Sequence, residues 1–219
     1  MDALCSMLRR HVDARPSWLE DVLAGGSLAK HDLALAFGAA AQALGRATVR
    51  PNAHEAQALR DAGASWAVKT TVDEIARVAL LRAAVTGAED PHAVARRLYV
   101  GGDSRERAAV LRALPLLPEP LTYLPLATEG CRTNVGGVFE AIACENAYPA
   151  RWFPDLAFRQ MVLKAIFTGV RIARIEGLRG RTSDELRRMA RDYASERIAA
   201  GRPVPDDVHE LLASAPGGT

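Results

Sequence analysis

Apolar residues in this chain recur mostly at intervals of three and four, the period that lays one face of an α-helix against a core. In the stretch 72–85, Ile75, Val78, Ala79, Leu81 and Ala83 fall mostly on one face. Thr71-Val-Asp-Glu74 has the spacing of a capping box, in which two residues satisfy each other's backbone N–H groups, and it predicts the start of that helix. Thr182-Ser-Asp-Glu185 has the same spacing and predicts a helix to Ala200, ended by Gly201. Helices are also predicted over 17–23, 30–44 and 51–62, with Gly25-Gly26, Gly45 and Gly63 as stops. Asp90-Pro91 opens a helix through Tyr99, because proline lacks an N–H that the first turn would leave unused. Further helices are expected over 104–114, 121–131 (interrupted by Pro125), 135–144, 156–168 and from Pro205-Asp206 onward, followed by a frayed tail.

Runs of β-branched residues are short and no stretch makes a convincing strand. The expectation is an all-α protein, a single domain over 1–219, built as an irregular helical-repeat (HEAT-like) array or a helical bundle. Glu106-Arg-Ala-Ala-Val-Leu-Arg-Ala-Leu-Pro-Leu-Leu-Pro-Glu-Pro120 looks like half of a HEAT-type hairpin, although no fixed period recurs.

Composition removes several function classes. The longest apolar runs, Leu33 to Leu44 and Ala76 to Val85, fall short of the roughly 20 residues that span a bilayer, so no transmembrane segment is expected. The first residues lack the apolar core of a secretory signal. Net charge is +2 with basic and acidic residues interspersed, which argues against a nucleic-acid partner. Cys5, Cys131 and Cys144 form no C-x-x-C pair, and three thiols cannot all pair within one chain, so a reduced cytoplasmic setting is expected.

Familiar catalytic signatures are missing. There is no dinucleotide or P-loop glycine pattern, no nucleophile elbow, and His54-Glu55 lacks the second histidine of a zinc helix. The five histidines are scattered, so neither a metal nor another cofactor is expected. Asp206-Asp207-Val-His-Glu210 superficially matches an acidic Mg²⁺-diphosphate motif, but no second acidic motif accompanies it. Acidic side chains after Pro205 read as a helix cap opposing the dipole.

Lysine is scarce, with Lys30, Lys69 and Lys164 the three among 28 basic side chains. On the helix over 156–168, Gln160, Lys164 and Thr168 lie four apart and form one polar stripe on an otherwise apolar surface. Two readings stand: a stripe facing water, or a stripe facing a polar cleft. In the second, Lys164 supplies a cation for a phosphate or carboxylate, or an amine for Schiff-base chemistry. On the helix from Thr182, Arg188, Asp192 and Glu196 are four apart, either a solvated ladder or a face that turns Glu196 inward to meet Lys164 or Arg132. Glu140 sits between Phe139 and Ala141-Ile142 and is expected to be partly buried. Candidate catalytic residues are therefore Lys164, Glu196 and Glu140. Arg202, before Pro203, reads as a cap for helix C-terminal carbonyls or a ligand contact.

The second half carries a set of residues in a specific order: Gly102-Asp103, Val110 to Leu117, Arg132-Thr-Asn134, Phe139-Glu140-Ala-Ile142, Asn146-x-Tyr148-Pro149, Gln160 to Lys164, Gly177-Leu178, Arg181, Tyr193, Glu196-Arg197 and Gly201-Arg202. In these the chain resembles the EboA family, most strongly over 101–211. The resemblance implies a role in bacterial gene clusters that make or export secondary metabolites. The candidate ligand-binding residues are Arg132, Asn134, Asn146, Tyr148, Gln160, Arg181, Asp192 and Arg202. The leading expectation is a natural-product pathway protein binding a small polar or phosphorylated metabolite among its C-terminal helices, with or without catalysis. The alternative is a non-catalytic helical-repeat adaptor that docks pathway enzymes or export components.

Overall fold

A computed structural model describes residues 3–13, 15–26 and 30–213; the tail expected to fray, Ala215 to Thr219, lies outside them. Among the described residues the chain is helical almost throughout. The helices are α1 (Ala3–His11), α2 (Ser17–Leu23), α3 (Lys30–Leu44), α4 (Ala53–Asp61), α5 (Val72–Val85), α6 (Pro91–Gly101) and α7 (Ser104–Ala113). They continue as α8 (Leu124–Arg132), α9 (Gly136–Ala143), α10 (Tyr148–Trp152), α11 (Asp155–Thr168), α12 (Leu178–Arg181), α13 (Asp184–Ala199) and α14 (Asp206–Ala213). The fold is all-α. Its one departure is a two-stranded antiparallel ribbon, β1 (Thr48–Val49) with β2 (Thr70–Thr71), too short for an alternating pattern to reveal.

Helices α3, α5, α7 and α9 pack each on the next in chain order, with α6 against α5 and α7, and α8 against α9. That serial stacking is the habit of helical-repeat arrays. Helix α5 lies at the centre: Val72, Ile75, Ala76, Val78, Ala79, Leu80, Leu81 and Val85 are all buried. A helix apolar over most of its girth has no side left for water. Its two buried charges offset each other, although among the described residues the Asp73 Oδ1 is buried without a hydrogen-bond partner. Arg77 pairs with Asp73 at 2.6 Å, donates from Nε to the Phe37 carbonyl at 2.9 Å, and so ties α5 to α3. Buried apolar side chains run as one continuous cluster from Leu4 to Leu211.

The capping signals need correcting. Thr71 is the N-cap of α5, but its side chain makes no cap bond. Its backbone belongs to β2, and Glu74 turns instead to the Thr70 hydroxyl at 2.6 Å and to the Arg112 guanidinium. At α13 the cap is Ser183, one residue later than predicted; its Oγ accepts from the Leu186 N–H, while Thr182 is buried and donates back to the Leu178 carbonyl. Complete capping boxes form at Asn52/Glu55 and Asp103/Glu106. Tyr148-Pro149 begins α10, with proline in the first turn where it is tolerated.

The halves of the array meet at 144–147. Glu145 holds a left-handed backbone (φ 48°), and its carbonyl accepts the Trp66 N–H while its own N–H donates to the Arg174 carbonyl. Gly63 stands at φ 82°, and a Cβ there would lie 2.7 Å from that of Ala147, so the close approach requires glycine. Asn146 fills the turn from inside, donating to the Leu111 and Ala141 carbonyls and accepting the Tyr148 N–H.

Candidate functional site

One face of α8 and one face of α11 enclose a cleft. Thr128, Cys131 and Arg132 recur at i, i+3, i+4 on α8; Ala157, Gln160, Met161 and Lys164 recur at i, i+3, i+4, i+7 on α11. Phe153, from the turn before α11, closes one end. The volume is about 320 Å³. That is the lower end of the range for small-molecule sites.

Lys164 is half-buried, and its ammonium donates to the Cys131 carbonyl at 2.7 Å and the Thr133 carbonyl at 2.5 Å. It also lies 4.8 Å from the Phe139 ring centroid. These carbonyls close the C-terminal end of α8, where backbone oxygens lack intrahelical partners and the helix dipole is negative. Lys164 is therefore a strut between α11 and α8, with one of its three N–H donors left over. Arg132 and Gln160 are exposed, and among the described residues neither side chain has a hydrogen-bond or ion-pair partner. Among the described residues, no carboxylate lines the cleft. Burial pushes the Cys131 thiol up to about 12, the nearby Lys164 and Arg132 charges lowering it only in part. At neutral pH it is a protonated, weakly polar wall group rather than a nucleophile.

The other sequence candidates are dispersed. Glu140 is part of a surface network in which Arg174 donates to it at 2.6 Å and to both oxygens of Glu145 at 2.7 and 2.9 Å. Glu196 is exposed on α13 and meets neither Lys164 nor Arg132, because Lys164 finds its partners in backbone carbonyls. Asp192 pairs with Arg188 at 3.1 Å on the solvated ladder that the spacing allowed. Tyr148 is fully buried, its hydroxyl donating to the Pro120 carbonyl at 2.6 Å, and burial raises its pKa. Arg181 donates to the Ala150 and Phe153 carbonyls and pairs with Asp155 at 2.9 Å. Asn134 and Arg202 are exposed. The structure thus brings together Lys164, Arg132 and Gln160. It adds Thr128, Cys131, Ala157 and Met161, whose signal is the three–four recurrence on each of two helices, and Phe153 from the turn before α11.

Asp207, from the acidic sequence beginning at Asp206, is buried and lies 3.2 Å from Arg171, which also bonds Glu210. Burial raises its pKa despite Arg171. Among the described residues, no group of three or more His, Cys, Asp or Glu side chains could hold a metal ion, and no helix is long and apolar enough to cross a membrane.

Fold and cleft together define an all-α helical array with a cationic, carboxylate-free groove between two of its later helices. The family model described as "Metabolite traffic protein EboA" matches residues 1–213, and the chain belongs to the EboA family. The match takes in the first hundred residues as well as the second half, where the sequence resemblance is strongest. No curated protein and no solved structure matches the chain.

Proposed function

We propose that the chain binds a small metabolite in the α8–α11 cleft and holds it without transforming it. The observation that carries this reading is the convergence of Arg132 and Gln160, both unpartnered, with Lys164 on one groove of ligand size. Binding is favoured over catalysis on chemical grounds. The Cys131 thiol is not ionised at neutral pH. Schiff-base chemistry at Lys164 would have to break two hydrogen bonds that hold α8 to α11. Reversible holding also fits a family described as metabolite traffic proteins. In this reading the protein serves a secondary-metabolite pathway in the cytoplasm. The adaptor alternative draws on Phe167 and Ile198, large apolar side chains left exposed on α11 and α13.

The test is native mass spectrometry of the full chain incubated with an extract of producing cells. A small-molecule adduct on the wild type, absent from Ala157→Trp, supports the reading, because the indole fills the groove. An adduct that survives Ala157→Trp, or none on the wild type, sinks it. A wild type that instead retains only other pathway proteins favours the adaptor.

A further inference from the structure

We infer, resting on that reading, that the cleft's ligand is an anionic amphiphile: one carboxylate or phosphate head on an apolar body, rather than a sugar phosphate or other polyhydroxylated anion. Three observations lead there. The first is charge. Most of the protein's inward or networked arginines meet a carboxylate: Arg77 with Asp73, Arg10 with Glu55, Arg112 with Glu74, Arg174 with Glu140 and Glu145, Arg171 with Glu210. Arg132 lines a cleft and meets none. Its planar fork suits bidentate capture of a carboxylate or phosphate.

The second is the size of that charge. The carbonyls of Cys131 and Thr133, at the negative end of α8, already offset part of the Lys164 ammonium. Arg132 remains as the main uncompensated cation, matched to a single anionic group. The Gln160 amide and the last Lys164 N–H supply neutral and charged donors beside it.

The third is the rest of the wall. Phe153, Ala157, Met161 and the protonated Cys131 thiol are apolar or nearly so. The Thr128 hydroxyl is committed to the Leu124 and Pro125 carbonyls. Hydroxyls of a sugar would find only Gln160 and the last Lys164 N–H, and each further one desolvated without a partner opposes binding. A methylene chain or an aromatic ring leaves nothing unmet. The flexible thioether of Met161 adapts to either.

The experiment is calorimetric titration of the full chain with n-alkyl carboxylates and n-alkyl phosphates of increasing length, kept monomeric, alongside inorganic phosphate, glucose 6-phosphate and n-alkylammonium ions. Affinity is expected to rise roughly fourfold per methylene until the groove is full. Arg132→Ala, at an exposed position that leaves the fold intact, should weaken the alkyl anions by about ten- to a hundredfold, with Arg132→Lys recovering only part. Affinity independent of chain length, preference for glucose 6-phosphate, or equal binding of alkylammonium overturns the inference. The cleft itself is judged separately by Ala157→Trp. If glucose 6-phosphate binds the wild type and is lost in that variant, the binding reading stands and the amphiphile falls. If alkyl anions bind both equally, they sit elsewhere and both fall.

Discussion

Arg77 and Arg132 are the same side chain in opposite circumstances. Arg77 is buried in α5 and has everything it needs: Asp73 one turn earlier, the Phe37 carbonyl, and the Phe37 ring 5.9 Å away. Arg132 stands at the end of α8, open to water, beside a groove with no acidic group. A charge taken out of water must be matched by the protein, so Arg77 can only be structural. A charge left in water costs nothing to keep unpaired, so Arg132 is at liberty to meet a ligand. Lys164 lies between these cases, half-buried, with two donors committed and one not.

The comparison is broken most forcefully at its buried end. Asp73→Asn strands the Arg77 guanidinium, and unfolding in urea should show a loss of about 3–5 kcal/mol. Combined with Arg77→Met the loss should shrink markedly, since no orphaned charge remains. Additive losses would mean that the pair is not a unit.

Lys164→Met comes next. It removes the donors that satisfy the Cys131 and Thr133 carbonyls, at a cost of about 1–3 kcal/mol. Arg132→Ala should cost under ~0.5 kcal/mol in the same assay while still weakening ligand. If the two variants lose equal stability, the distinction between strut and ligand contact is wrong.

The Glu55–Arg10 pair tests a mixed case, a buried carboxylate beside a half-exposed guanidinium. Hydrogen bonds from Arg10 hold Glu55 at about 2, with further donors from the Asn52 backbone and the Ser6 hydroxyl. Because the folded value lies below that of the unfolded chain, the stabilisation is full above pH ~4.5 and is lost as pH falls toward ~2. Solvent around Arg10 screens the pair, so the slope is modest. Acid titrations of stability should show that slope in the wild type and a flatter one in Glu55→Gln.

The smallest effect is expected at Glu196. It is exposed and pairs with neither Lys164 nor Arg132, so Glu196→Gln should change stability by under ~0.5 kcal/mol. Coupling to Lys164→Met in a double variant would contradict the geometry.

Much of the helical layout could be read in advance. The stretches 17–23 and 30–44 coincide with α2 and α3, and Gly45, Gly63, Gly169 and Gly201 all stand at positive φ beyond the helices they follow. The candidate site is only half visible in the sequence. Gln160 and Lys164 were found as a stripe on α11, and Arg132 through the family resemblance, but nothing in the spacing said that α8 would supply the facing wall. Tyr148, Asn146 and Arg181 are polar residues in a specific motif, yet Tyr148 and Asn146 satisfy interior backbone groups, and Arg181 bonds two backbone carbonyls and Asp155. A polar side chain with a strict positional requirement looks the same in sequence whether a ligand or a carbonyl imposes it.

The sequence by itself determined most of the longer helices and the family. Three–four periodicity, glycine stops and proline starts are local, and each acts within a turn or two of where it is written. Only the tertiary structure decided partners. Whether Glu74 caps its helix or turns to Arg112 depends on α7. Whether Lys164 meets Glu196 or the end of α8 depends on which helix packs against α11. Those choices rest on contacts between residues more than thirty positions apart. A charged side chain takes the partner that packing brings within about 3 Å, and no local pattern encodes which one that will be.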